Sequence, residues 1–148
     1  MVRKFFIFIP AVLLLLLSCV AQSWAAASPE PTDKTIPREI KIGKKTAEQV
    51  EKEIPRVHDP SQEAKLAMIA NRMTPYLQRD LQYYVKILDM KEPNAFSLPG
   101  GFTYITTGML DFLKSEDEIA AILAHEFVHA DRAHGIIQAA RNNRLSLL

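Results

Sequence analysis

The sequence predicts an α+β domain that is mostly helical and contains a small antiparallel or mixed sheet. Apolar residues recur at helical spacing in two long stretches, residues 60 to 79 and residues 115 to 141. Between them, residues 82 to 87 alternate between apolar and polar side chains, and residues 95 to 105 contain two extended segments around a Pro-Gly-Gly turn. The 148 residues, 48% of them apolar and 24% charged, are enough for one globular domain.

Residues 1–27 have the layout of a signal peptide. Arg3 and Lys4 precede an uncharged run from Phe5 to Leu17, and alanines at positions 25 to 27 supply the small residues needed near a signal-peptidase site. The run is about 13 residues long, whereas a permanent membrane helix takes roughly 20. We therefore expect cleavage near Ala27 and export to the bacterial periplasm.

Cys19, the only cysteine, leaves a second destination open. Residues 16 to 19, Leu-Leu-Ser-Cys, resemble the box at which bacterial lipoproteins are cut and acylated, although Leu17 fits that box poorly. A residue of an apolar export segment is the favoured interpretation of Cys19, and a lipid anchor that holds the protein to a membrane is the alternative. In either case the mature domain would have no disulfide.

The charge balance gives no reason to expect a nucleic-acid partner. Without Arg3 and Lys4, the 18 basic residues become 16, against 17 acidic residues, so the exported domain would carry a net charge of −1. Nucleic-acid binding depends on a basic patch that neutralises phosphates, and no such patch is visible in the sequence. Nothing in the sequence indicates the oligomeric state.

The exported part is predicted to begin with a flexible tether over residues 28–45, because prolines and a glycine alternate there with charges. The folded domain would then span residues 46–148. Its first element is a short helix over residues 46 to 54, ended by Pro55. Asp59 is predicted to cap a second helix, which runs to Arg79 unless the proline at position 75 ends it early.

A strand and a hairpin should follow. Tyr83, Val85 and Ile87 would form the buried face of the strand. The hairpin, at residues 95 to 105, turns at Pro-Gly-Gly and should continue the same sheet. Thr107 is predicted to cap a short helix that ends near residue 113.

The last predicted helix begins at a capping box formed by Ser115 and Glu118 and continues toward Arg141. Its apolar residues cover more than one face, so we expect it to be central and largely buried. These residues are Ile119, Ile122, Leu123, Phe127, Val128 and Ala130.

This helix carries the sequence His-Glu-Phe-Val-His at positions 125 to 129. Residues four apart in an α-helix point in nearly the same direction, so His125 and His129 can bind one metal ion. Imidazole nitrogens suit Zn²⁺, and a catalytic zinc site keeps one coordination position for water. Glu126, about 60° from His129 around the helix, could take a proton from that water without being a ligand. We predict one Zn²⁺ per chain.

Other polar residues are weaker candidates. His134 lies nine residues after His125, which is about 180° around a continuous helix, so it should face away from the metal. Asp131 is similarly misdirected, and both are predicted to be surface or second-layer residues. His58 has no partner at ligand spacing and is interpreted as a loop histidine.

Three motifs in the same order resemble peptidase family forty-eight, the family of the HtpX heat-shock protease and the CAAX prenyl proteases. They are Asn-Ala-Phe-Ser-Leu-Pro-Gly-Gly at residues 94 to 101, Ser-Glu-Asp-Glu at 115 to 118, and residues 124 to 129 followed by His134. The likeness is stronger to the soluble periplasmic and lipoprotein members. It implies a zincin-like domain with the sheet beside the active-site helix, polypeptide substrates bound along an edge strand, and a function in envelope protein quality control.

Two features depart from that family. Val128 stands where the family commonly has glycine. The family's third ligand is a glutamate on a later helix, but Asp131 is the only acidic residue after His129. We therefore expect this ligand beyond Leu148, with the chain as the first part of a zinc endopeptidase domain. The alternative is a metal-stabilised binding or chaperone-like module without turnover.

Overall fold

A computed structural model describes residues 33–138. The predicted signal peptide, Cys19, the first residues of the predicted tether and the predicted end of the last helix near Arg141 lie outside the described residues. Short 3-10 turns occupy Asp33–Thr35 and Thr74–Tyr76. The helices and strands are α1 (Ile36–Glu53), β1 (Arg56–Val57), α2 (Pro60–Met73), β2 (Tyr84–Leu88), β3 (Ala95–Leu98), β4 (Phe102–Thr106), α3 (Thr107–Phe112) and α4 (Glu116–Asp131).

The four strands form one mixed sheet in the order β1-β2-β4-β3. β1 and β2 are antiparallel, β2 and β4 are parallel, and β3 and β4 are antiparallel. β3 and β4 are joined by the predicted Pro-Gly-Gly turn, in which Gly100 (φ 80°) and Gly101 (φ 87°) have the left-handed conformation that glycine tolerates. The predicted hairpin and the α+β class with a small mixed sheet are confirmed.

Helices cover both faces of the sheet. Ile87 and Leu88 are neighbours in β2 and therefore point to opposite faces. Ile87 lies in the larger core, which joins α2 and α4 to the sheet, and Leu88 lies in the smaller core under α1. The larger core consists of Leu66, Ile69, Ile87, Ile105, Ile119 and Leu123. The His-Glu-Phe-Val-His motif is therefore on a helix that packs directly against the sheet.

The first helix begins much earlier than the sequence predicted. Residues 36 to 45, assigned above to the tether, are helical and continue without a break to Glu53, so that part of the prediction is wrong. Pro37 lies in the first turn, where its missing N–H costs no helical hydrogen bond. Gly43 faces the hairpin turn so closely that a Cβ atom there would lie 1.8 Å from the carbonyl oxygen of Pro99. Proline and glycine indicated a tether, but here the proline lies in the first turn of the helix and the glycine lets the helix pack closely on the hairpin turn.

Most predicted helix ends are close to those observed. The Asp59 carboxylate accepts hydrogen bonds from the backbone N–H groups of residues 61 and 62, which confirms the predicted cap of α2. α2 ends at Met73, before the 3-10 turn that contains Pro75. Ser115 caps α4 by accepting from the N–H of Glu118 at 3.2 Å, as predicted. Thr106, one residue earlier than predicted, caps α3.

Candidate active site

α4 packs through one face only. Its buried residues recur at helical spacing, from Ile119 through Leu123 and Phe127 to Ala130. Val128 is 48% exposed and Ile122 is half-buried, so the prediction that several faces of this helix would be buried is wrong for the described residues. The opposite side of the helix is accessible and carries the histidines of the motif.

The rings of His125 and His129 converge as their spacing predicted. Their Nε2 atoms are 3.0 Å apart, and the ring centroids are 4.6 Å apart with the planes inclined at 70°. Two nitrogens that bind one Zn²⁺ at about 2.0–2.1 Å in tetrahedral geometry lie about 3.3 Å from each other. The observed pair is close to that separation, so the two histidines fit a zinc ion between their Nε2 atoms.

Glu126 lies between the two histidines in sequence and is half-buried. On an α-helix its side chain projects about 100° from that of His125 and about 60° from that of His129. Glu126 therefore projects from the same side of α4 as His129, but in a different direction from both histidines. A residue at this angle is better suited to act as a base than as a further ligand of the same ion.

Residues 33–138 do not complete a coordination shell. Within this range, no group of three or more His, Cys, Asp or Glu side chains could hold a metal ion. Catalytic zinc sites use three protein ligands, of which His125 and His129 would supply two.

His134 does not face away from the motif, and the prediction that it would is wrong. Its Nδ1 lies 2.8 Å from Nδ1 of His129, and the two ring centroids are 4.8 Å apart. The prediction assumed a continuous helix, but α4 ends at Asp131 and Ala133 adopts a left-handed conformation with φ 51°. Helical structure resumes at residue 134. Alanine favours helices, so the local sequence contains no signal for this break.

Asp131 makes its hydrogen bonds away from the histidines of the motif, as predicted, but it is buried and therefore not a surface residue. One of its carboxylate oxygens accepts hydrogen bonds from the backbone N–H groups of Gln78 (3.0 Å) and Arg79 (2.9 Å) and from the Tyr83 hydroxyl (3.1 Å). Burial and the neighbouring Asp131 charge raise the pKa of Tyr83. The Tyr83 ring also packs on Phe127, with centroids 4.9 Å apart. These contacts hold the end of α4 against the chain that follows α2.

His58 lies in the loop between β1 and α2, where the sequence placed it. Its side chain is 70% exposed, and Nδ1 is 3.6 Å from the carboxylate of Glu63. It takes no part in the motif on α4.

The sheet presents an edge next to the metal helix. β3 is the terminal strand in the strand order and packs against α4. Within the described part of the chain it pairs with β4 alone, so its other edge has backbone groups free for an added strand.

Comparison with known proteins identifies the family. The pattern that defines Peptidase family M48 matches residues 60–148. This chain belongs to that family. The matched range includes the sheet strands β2 to β4 and the motif on α4, whereas α1 and β1 lie before it.

Metalloendopeptidases named OMA1 are similar to part of the chain. The Schizosaccharomyces pombe mitochondrial protein is 36% identical over 69 residues, which are 47% of this chain and 20% of that relative. The Saccharomyces cerevisiae protein is 48% identical over 42 residues (28% and 12%), and the Bos taurus protein is 28% identical over 69 residues (47% and 13%). The chain thus spans a fifth or less of the length of these relatives. Within residues 33–138, no helix is long and apolar enough to cross a membrane.

Proposed function

We propose that this chain carries the catalytic motif of a zinc-dependent endopeptidase. The observation that carries the proposal is the 3.0 Å separation of the His125 and His129 Nε2 atoms, with Glu126 on the same helix, in a member of Peptidase family M48. His125 and His129 would hold the zinc ion through Nε2, one ion per chain. Glu126 would be the catalytic base.

The residues divide the chemistry between them. When bound, Zn²⁺ supplies Lewis-acid activation of water and of the scissile carbonyl. Glu126 would take a proton from water as the water oxygen forms a bond to the scissile carbonyl carbon. It would then pass that proton to the amine nitrogen, which leaves as the C–N bond breaks. His125 and His129 stay neutral, because only a deprotonated ring nitrogen can bind the metal.

Polypeptides are the proposed substrates, bound in extended form along β3. An extended peptide can add a strand to an exposed sheet edge through main-chain hydrogen bonds, which requires no particular side chain. The half-buried side chains of β3 pack in the sheet, so its backbone would provide the recognition. We propose that these substrates are exported or envelope proteins and that the activity serves their quality control.

The location proposed for this activity is the bacterial periplasm. The leader-like residues 1–27 support it, with the lipoprotein route through Cys19 as the alternative. The similar OMA1 proteins from yeasts are mitochondrial by name, which is a different compartment. Fractionation of cells that express the wild-type or the Cys19→Ser chain separates these cases. Soluble protein in the periplasm supports the first location, and membrane retention that depends on Cys19 supports the lipoprotein route. Protein in the cytosol contradicts both.

A non-catalytic function is the second candidate. It is favoured because no group of three or more His, Cys, Asp or Glu side chains among residues 33–138 could hold a metal ion. Such a module would bind zinc for stability and bind polypeptides without cleaving them. A glutamate on a helix encoded downstream of Leu148 would favour the enzyme.

Replacement of Glu126 tests the proposal. In the full-length protein, Glu126→Gln should abolish cleavage of casein and of the protein itself while zinc remains bound. Glu116→Gln is the matched control, because Glu116 is an exposed residue of the same helix whose carboxylate contacts only Lys65, at 3.2 Å, among the described ion pairs. Cleavage by the Glu126→Gln protein at the wild-type rate would exclude this mechanism. Zinc binding without cleavage by the wild-type protein would favour the module.

A further inference from the structure

The edge of the His129 ring that faces away from His125 contacts a second histidine, His134. Nε2 of His129 faces His125 across 3.0 Å, while Nδ1 of His129 lies 2.8 Å from Nδ1 of His134. Each nitrogen of this one imidazole is therefore within hydrogen-bond distance of a different histidine. The three rings form a chain, with His129 in the middle.

We infer that His134 is a positioning residue that holds His129 in the tautomer required for metal binding. This inference rests on the proposed function. A neutral imidazole has one N–H and one lone pair, so His129 can offer a lone pair at Nε2 only when its proton is on Nδ1. That N–H then donates to Nδ1 of His134, which accepts with its own proton on Nε2. Metal-binding histidines commonly donate their second N–H to such a partner, which fixes the ring orientation.

The backbone after α4 is arranged to bring His134 to this place. The N–H of Arg132 still donates to Val128, as in the helix, but the N–H of Ala133 turns back to Ala130 at 3.0 Å. Ala133 is 2% exposed and left-handed, a conformation that costs an L-residue roughly 1–2 kcal/mol. The N–H of Ile137 then donates to Ala133 as helical structure resumes. A continuous helix would place residue 134 about 140° from His129 and break the contact.

Variants of His134 distinguish the hydrogen bond from simple packing. His134→Ala removes the acceptor and should weaken zinc binding by roughly 10- to 100-fold, the usual effect of losing such a partner. His134→Asn keeps an acceptor, because its amide oxygen occupies the place of Nδ1, and should restore affinity to about the wild-type value. His58→Ala is the matched control, since this exposed histidine lies in the loop between β1 and α2 and contacts Glu63, so its removal should leave affinity unchanged. Affinity is measured on the full chain by competition with a chromophoric zinc chelator.

A second readout needs no metal. Long-range ¹⁵N–¹H NMR spectra of the zinc-free wild-type chain should show the proton of His129 on Nδ1, and His134→Ala should transfer it at least partly to Nε2. This measurement decides the question even when a variant fails to fold, because the wild-type spectrum alone tests the tautomer.

The outcomes separate this inference from the proposed function. A wild-type chain that binds no zinc counts against the proposed function, and the NMR spectrum then decides the role of His134. A wild-type chain that binds zinc, with His134→Ala binding equally tightly, overturns the inference and leaves the function intact. A His129 proton found mainly on Nε2 in the zinc-free chain overturns it too, as does a folded His134→Asn protein that binds no better than His134→Ala.

Discussion

Arg79 and Glu39 form a buried ion pair in which two guanidinium nitrogens donate to the two carboxylate oxygens at 2.8 and 3.0 Å. The side chains are 7% and 2% exposed. The backbone N–H of Arg79 also donates to Asp131 at the end of α4. α1, which lies before the range matched by the family, is therefore connected to the helix that carries the metal motif.

Removing one partner of this ion pair should destabilise the fold strongly, whereas replacing both partners by apolar residues should destabilise it much less. Arg79→Met leaves the Glu39 carboxylate buried without its partner, and we expect a loss of about 3–5 kcal/mol in the free energy of unfolding. Adding Glu39→Leu removes the orphaned charge and should recover most of that loss. Urea unfolding followed by circular dichroism measures both. A double variant no more stable than Arg79→Met would show that charge burial is not the cause.

Gly43 should not tolerate a methyl group, although helix propensity favours one. Alanine is better than glycine in a helix interior by about 1 kcal/mol. A Cβ at position 43 would, however, lie 1.8 Å from the Pro99 carbonyl oxygen, which must move with the hairpin turn. Overpacking of this kind costs about 1–3 kcal/mol, so Gly43→Ala should be destabilising.

Lys45→Ala is the control for Gly43→Ala, because Lys45 is exposed on the same helix. Its substitution should change stability by less than about 0.5 kcal/mol. Equal urea midpoints for Gly43→Ala and the wild type would mean that α1 does not pack on the hairpin turn as closely as described.

Local sequence patterns were enough to predict the features that depend on a few neighbouring residues, such as helix caps and tight turns. The Asp59 and Ser115 caps and the Pro-Gly-Gly hairpin depend on nearest neighbours, and all are observed. The predicted strand is observed as β2, but its single buried face is not, because the adjacent Ile87 and Leu88 are both buried. The parallel pairing of β2 with β4 joins distant segments, and no local signal specified it.

Two predictions were wrong because they depend on how the whole chain folds and not on nearest neighbours. They are the tether that includes Gly43 and the orientation of His134. Glycine at position 43 weakens an isolated helix, but here it allows contact with the Pro99 turn. His134 was misplaced because a continuous helix was assumed, whereas the chain turns at Ala133. The convergence of His125 and His129 depends only on the period of the helix, which is why spacing alone predicted it.

The Glu51 carboxylate should make stability depend on pH. Burial alone would raise its pKa, but hydrogen bonds from Lys86 and Tyr104, both 2.6 Å long, lower the pKa of Glu51 below its ordinary value of 4.5. A carboxyl whose pKa is lower in the folded state stabilises the fold at pH values above 4.5. That contribution is lost as the pH falls from 4.5 through the folded pKa.

Glu51→Gln should therefore be less stable than the wild type by roughly 1–3 kcal/mol near neutral pH, because hydrogen bonds to a charged group are lost. The difference between the two proteins should shrink as the pH falls from 4.5 through the folded pKa of Glu51. Urea midpoints measured across this range test the prediction. A difference that stays constant would mean that the charge of Glu51 does not contribute.

Zinc should stabilise the chain through His125 and His129. A ligand that binds only the folded state adds about 2.7 kcal/mol at a concentration 100 times its dissociation constant. For a domain of this size that is an increase of roughly 10–20 °C in Tm, which a chelator should reverse. His125→Ala removes one of the two converging Nε2 atoms and should abolish the increase, whereas His58→Ala should retain it. The test compares the Tm of each protein with and without zinc, so a general loss of stability in a variant does not imitate a loss of zinc binding. An equal increase in Tm for His125→Ala would mean that zinc binds elsewhere.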